Sequence, residues 1–286
     1  MNEKQGKRML IASMCIFSTI GILRKFIPYP SSFVALARGC VGAVFLLAVL
    51  LLRRQRPDLK AMGKNALLLL LSGAALGFNW IFLFEAYAYT SVATATLCYY
   101  LAPIIVILVS PVLLKEKLTG RKLLCALAAL VGMVLVSGVL DTGFSGITEM
   151  KGILMGLCAA ALYAAVMILN KKIRDIGPYD KTIAQLFLAS AVMLPYVLAT
   201  EDIAALPYSA LPVVLLLVAG IVHTGIAYWL YFGSMGAIKA QTVALYSYID
   251  PILAIVLSML VLKEPMTIAA AIGAVIILLS AYFSEK

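Results

Sequence analysis

Residues 100–119 read YLAPIIVILVSPVLLKEKLT, and residues 248–267, 148 positions later, read YIDPILAIVLSMLVLKEPMT. The ungapped offset pairs Tyr100 with Tyr248, Pro103 with Pro251, Ile107 with Ile255, Ser110 with Ser258 and Leu114-Lys115-Glu116 with Leu262-Lys263-Glu264. Outward it still pairs Gly77 with Gly225, Phe84 with Phe232 and Thr94 with Thr242. A match of that extent means two copies of one unit, each about half of the chain. Any fold for this sequence must therefore be built twice.

Composition then decides the solvent. The chain is 286 residues long, 64% hydrophobic and 13% charged, with a mean hydropathy of +1.05. Soluble chains average about 45–50% apolar and about 25% charged. The excess falls in runs of roughly 20 residues, the length of helix that crosses a bilayer core about 30 Å thick. The net charge of +10 sits in short clusters between these runs, as membrane orientation requires. It does not point to nucleic acid. Cys15, Cys40, Cys98, Cys125 and Cys158 all lie in apolar runs without a CxxC pair, which reads as helix packing. The first apolar run has no small-residue cleavage motif after it and reads as a retained span.

The expected fold is all-α and membrane-integral, with ten transmembrane helices: 8–27, 32–52, 65–88, 92–114, 120–140, 152–171, 180–199, 210–233, 240–262 and 266–283. This divides the chain into a first five-helix repeat, 1–140, a linker, 141–151, and a second repeat, 152–286. Lys and Arg gather on one side of such a bundle, at Arg53, Arg54, Lys115, Lys122, Lys171 and Lys172 among others. The bias predicts a multi-pass protein of the cell (inner) membrane with both termini cytoplasmic. Five spans is an odd number, so the second repeat is expected to be inverted relative to the first. Inverted repeats are a recurring design of secondary transporters, with the substrate site near mid-bilayer between the halves.

Each unit thus has a proline-containing fourth span ending in Leu-Lys-Glu before a short last span. Together with Tyr248-Ile249-Asp250-Pro251, this resembles the ten-span EamA-type branch of the drug/metabolite transporter superfamily, across essentially the whole chain. The resemblance implies a central cavity lined by spans 1, 3, 4, 6, 8 and 9, with spans 5 and 10 peripheral. It implies a transporter without naming a cargo.

Charges within spans cost about 2.5–3.5 kcal/mol each at a helix centre, so they call for a reason. Asp250 lies about ten residues into the ninth span, about 15 Å deep at 1.5 Å per residue, on a stripe with Thr242 and Tyr246. His223, the single histidine, is at similar depth in the eighth. Both are coupling candidates, as a proton or cation site; the plain alternative is an internal hydrogen bond between helices. Glu85 and Arg38 fall at similar depth in the third and second spans. They read as a structural pair, or else Glu85 is a substrate-binding carboxylate and Arg38 snorkels. Trp80, Tyr99, Tyr100, Tyr228, Tyr246 and Tyr248 are substrate-binding candidates, since aromatic faces beside a carboxylate suit an ammonium. Some of these rings are expected to be interfacial belt residues instead. Pro103 and Pro251 each free a backbone carbonyl near mid-membrane, either as a moving hinge or as a static kink. Glu116 and Glu264 read as turn chemistry, and Thr119 and Thr267 as caps.

No phosphate-binding loop, nucleophile constellation or metal-ligand spacing is present, so neither an enzyme, a metal nor a cofactor is expected. The expected function is secondary transport of a small amino-acid-like or cationic solute, outward and in exchange for protons. An uncoupled facilitator is the alternative, and an intramembrane enzyme using His223 and Asp250 a remote one. The expected partners are a small-molecule substrate, protons and the lipid bilayer.

Overall fold

In hydrocarbon every backbone polar group must be satisfied within its own segment, so apolar runs of this length fold as helices. The computed structural model describes residues 1–24, 26–90, 92–137, 147–206, 209–262 and 267–283. Among these, six helices are long and apolar enough to cross a membrane. The first is α1 (Glu3–Ser18) with α2 (Ile20–Arg24); α3 (Ser31–Leu52), a short α4 (Leu59–Lys64) and α5 (Ala66–Tyr89) follow. α6 (Val92–Tyr99), α7 (Ala102–Leu114) and α8 (Gly120–Ser137) complete the first half. The second half holds α9 (Ile147–Lys172), α10 (Pro178–Thr200), α11 (Ala210–Val218), a π-helical segment (Ala219–Ile226) and α12 (Ala227–Ser234). It ends with α13 (Ala240–Tyr246), α14 (Ile249–Leu262) and α15 (Ile268–Phe283). Of the expected linker, 141–146 lies outside the described residues, as does Glu264, while 147–151 opens α9.

The expected fourth and ninth spans are not continuous: α6 stops before α7, and α13 before α14. At the joints Leu101 N–H bonds the Cys98 carbonyl (3.1 Å) and Tyr248 N–H the Leu245 carbonyl (3.2 Å), the tight turns of interrupted helices. Proline is the physical cause. It donates no hydrogen bond and crowds the turn before it. Pro103 therefore sits at the start of α7, where a missing N–H leaves nothing unsatisfied.

α5 packs against α9 and α10, α3 against α10 and the π segment, α1 against α12 and α14, and α13 against α7. α8 and α15 pair with each other at the side, over Ala129, Met133, Ala274 and Ile277. Leu10, Met14, Leu76, Met167, Leu186 and Phe232 form the buried centre. The outer surface is apolar as well: Leu52 and Ile268 are 84% and 81% exposed, and Leu67, Leu124 and Phe187 are exposed too. In water such a surface would aggregate; against lipid it is the stable arrangement.

Close helix approach rests on small residues. A Cβ on Gly42 of α3 would lie 3.0 Å from both the Gly220 carbonyl and the Gly225 nitrogen of the π segment. A Cβ on Gly220 would lie 2.4 Å from Val41 and 3.5 Å from the Arg38 backbone. The glycines thus bring α3, and Arg38 with it, against the wall of the cavity described next.

Candidate functional site

A cavity of about 360 Å³ lies between the halves. Its lining draws on α1, α2, α3, α5, α9, the π segment, α12 and the two helix joints. No residue of α8 or α15 takes part, in keeping with the peripheral place the resemblance implies. The wall from α3, with Ser31, Val34, Ala35 and Arg38, is one the resemblance did not imply.

Its floor is aromatic. Tyr99 stacks on Tyr163 at 5.3 Å between centroids, and Tyr163 on Tyr231 at 6.5 Å, their hydroxyls 2.7 Å apart. Tyr228 meets Phe17 edge-on at 5.1 Å and Trp80 at 6.2 Å. Asp250 and Ser247 line the same space. Among the described residues no hydrogen bond or ion pair involves Asp250.

Of the residues singled out from sequence, Trp80, Tyr99, Tyr100, Tyr228, Arg38, Pro103 and Asp250 line the cavity. Tyr246, Tyr248, Glu85, His223 and Pro251 do not. The stripe Thr242–Tyr246–Asp250 assumed one continuous helix. The joint at residues 247–248 ends that count, and Ser247 rather than Tyr246 accompanies Asp250. Tyr248 is fully buried instead, its hydroxyl donating to the Tyr100 carbonyl at 2.9 Å.

The expected Arg38–Glu85 pair is not formed. Glu85 accepts from the Tyr196 hydroxyl, and Arg38 lies over the Trp80 ring, 5.0 Å from its centroid. Similar depth in two spans does not fix which way each side chain faces, and α10 supplies Glu85 with its own donor, Tyr196. His223 is buried on the π segment, its Nε2 2.8 Å from the Thr19 hydroxyl at the α1–α2 break. Its Nδ1 is buried. Thr224 returns its hydroxyl to the Ala219 carbonyl five residues back (3.0 Å), which fits the wide turn. Such turns recur at functional sites, and nothing in composition marks them.

Tyr163, Tyr231, Phe17 and Arg24 also line the cavity. Arg24 is fully engaged: it donates to the Ile27 and Tyr29 carbonyls and to the Ser31 hydroxyl. The tyrosines carried a usable signal, since their hydroxyl ends in mid-span demand a polar neighbour or a cavity.

A lipid-facing helical bundle enclosing a polar, aromatic cavity between two sequence-related halves is the architecture of a membrane transporter. The chain belongs to the EamA-like transporter family, whose model matches residues 5–138 and again 150–285. An uncharacterized transporter of Bacillus subtilis, YxxF, is 30% identical over 87% of this chain and 79% of its own length. An uncharacterized transporter of Clostridium kluyveri is 25% identical over 99% and 94%, and protein PecM of Dickeya dadantii 27% over 73% and 70%. A solved crystal structure with 18% identity superposes at a TM-score of 0.87, over 98% of this chain and 96% of its own. That likeness concerns the fold.

Proposed function

We propose that this protein is a secondary transporter that moves a small amino-acid-like or amine solute outward by alternating access, in exchange for protons. Asp250 is the group that meets the solute ammonium or the proton. The observation that carries this reading is the lone carboxylate of Asp250 on the lining of a tyrosine-rich cavity. An unpaired acid within a membrane is costly unless a ligand or a proton neutralises it in turn. The tyrosine and tryptophan faces add cation–π attraction for the same ligand. The halves are inverted repeats in this reading, and both termini lie in the cytoplasm. Exchange of their two conformations opens the cavity to one side and then to the other.

Proteoliposomes test it, with solute uptake and internal pH recorded together. Coupled exchange requires solute-dependent proton movement; solute flux without it leaves an uncoupled facilitator, and neither flux ends the reading. Orientation is separable. Single cysteines at Arg54 and Lys172 should label from the cytoplasm alone, and at Gly143 and Glu201 from outside alone. Labelling of Arg54 and Gly143 from one side removes the inversion.

A further inference from the structure

Arg38 is a charged residue in a membrane span with nothing in the described protein to neutralise it. No hydrogen bond or ion pair among the described residues involves it, and its Nε is buried without an acceptor. Glu85 and Glu201 are engaged elsewhere, by Tyr196 and Ser32. Its one strong contact is the Trp80 face. A guanidinium laid over a ring satisfies its flat face and leaves its N–H edge for a planar acceptor. The other cavity arginine, Arg24, has its donors on backbone carbonyls and a serine.

Asp250 lies on the same lining and is also unpaired. Arg38 and Asp250 line one cavity, and no ion pair closes between them. A cavity in which one guanidinium and one carboxylate keep open hydrogen-bonding edges suits a solute that brings a group of opposite charge to each. A plain amine leaves Arg38 bare and is repelled by it; a plain acid does the same at Asp250.

We propose that Arg38 is the docking group for a substrate carboxylate, and that the solute is a zwitterion held between Arg38 and Asp250 with its side chain against the tyrosines. This rests on the cavity being the transport site, as proposed above. A carboxylate is the anion that matches the fork of a guanidinium, with two parallel hydrogen bonds. Arg38 therefore selects amino acids over the amines that Asp250 alone would accept.

The test uses the full-length protein in detergent and three matched sets of probes. These are the twenty protein L-amino acids, then L-leucine and L-phenylalanine beside isopentylamine and phenethylamine, and beside 4-methylpentanoate and 3-phenylpropanoate. Binding is read by thermal stabilisation and titration calorimetry. Amino acids are expected to bind and their matched amines and acids to bind at least about tenfold more weakly, the loss expected for one charge-assisted hydrogen-bonded group. Arg38→Gln should weaken amino-acid binding by about tenfold or more and leave the amines bound at least as well as before. Arg38→Lys keeps the charge and should retain part of the preference, and the unliganded melting temperature of each variant shows that it folds. Amines binding as well as amino acids, with Arg38→Gln lowering both alike, overturns the carboxylate role and leaves the cation reading intact. Failure of every amino acid and every amine to bind overturns both.

Discussion

The two ends of the bundle treat their polar groups in opposite ways. At the end formed by the close of α7, the close of α9 and the start of α13, buried charges are all engaged. Lys181, only 6% exposed, donates to the Phe232 carbonyl at 2.6 Å. Lys171 reaches the Met235 and Ile238 carbonyls at 3.1 and 2.5 Å. Lys115, in a left-handed conformation (φ 57°), turns the chain so that Glu116 accepts from the Ala240 and Gln241 nitrogens at 2.8 and 3.3 Å. Gln241 in turn bonds Lys122 and Ser110. Toward the other end, Arg38 and Asp250 face the cavity unpaired. A buried polar group with protein partners holds a conformation; one without them is available to something that arrives. On the reading proposed above, the first end is a latch and the cavity a binding site.

Changes on the two sides of that division should therefore have different readouts. The largest expected effect is at Asp250. Asp250→Asn keeps the shape and abolishes titration, so solute-linked proton movement in proteoliposomes should fall by at least about tenfold while the melting temperature hardly moves. Transport at the parent rate and with the parent pH dependence would make Asp250 structural and erase the contrast. Glu116→Ala comes next. It removes two charge-assisted caps from α13, about 2–3 kcal/mol of stability, and should raise the labelling rate of a lone cysteine placed at Gly236 in a cysteine-free background. An unchanged labelling rate would mean that the end is held without Glu116. Lys181→Met leaves the Phe232 carbonyl without its donor and should destabilise by about 1–2 kcal/mol, read by thermal melting, with substrate affinity unaltered. A drop in affinity without a drop in stability would move Lys181 from latch to site.

The bundle was legible in sequence because the repeat and the apolar runs reflect its solvent directly, and six long helices fall where those runs lie. Pro103 and Pro251 announced a disturbance, and its form, a full interruption, follows from chain geometry beyond them. The cavity was legible in its chemistry more than in its orientation. Asp250 and Tyr99, Tyr100 and Tyr228 were picked out by depth and type. Counting around one continuous helix puts Tyr246 beside Asp250, but that helix ends at Tyr246. Depth alone pairs Arg38 with Glu85, and azimuth separates them. Glu116 read as local turn chemistry, yet it caps a helix 124 positions away, a contact that no window along the chain displays. The π segment has no compositional mark, since an i→i+5 ladder uses the same residues as its neighbours.

Tyr100 and Tyr248 hold the same place in the two copies, and in this conformation the hydroxyl of the second donates to the backbone of the first. Their rings sit 6.2 Å apart, and under the alternating access proposed above the pair would be a toggle with two settings. If the halves trade conformations, the donor and acceptor trade too, and the bond seen here gives way to its mirror from the Tyr100 hydroxyl. One such bond is worth about 1 kcal/mol, roughly a fivefold ratio between the settings. On that reading two identical side chains would give each setting the same reward and keep unequal halves close to evenly poised. Tyr248→Phe would tilt it one way and Tyr100→Phe the other.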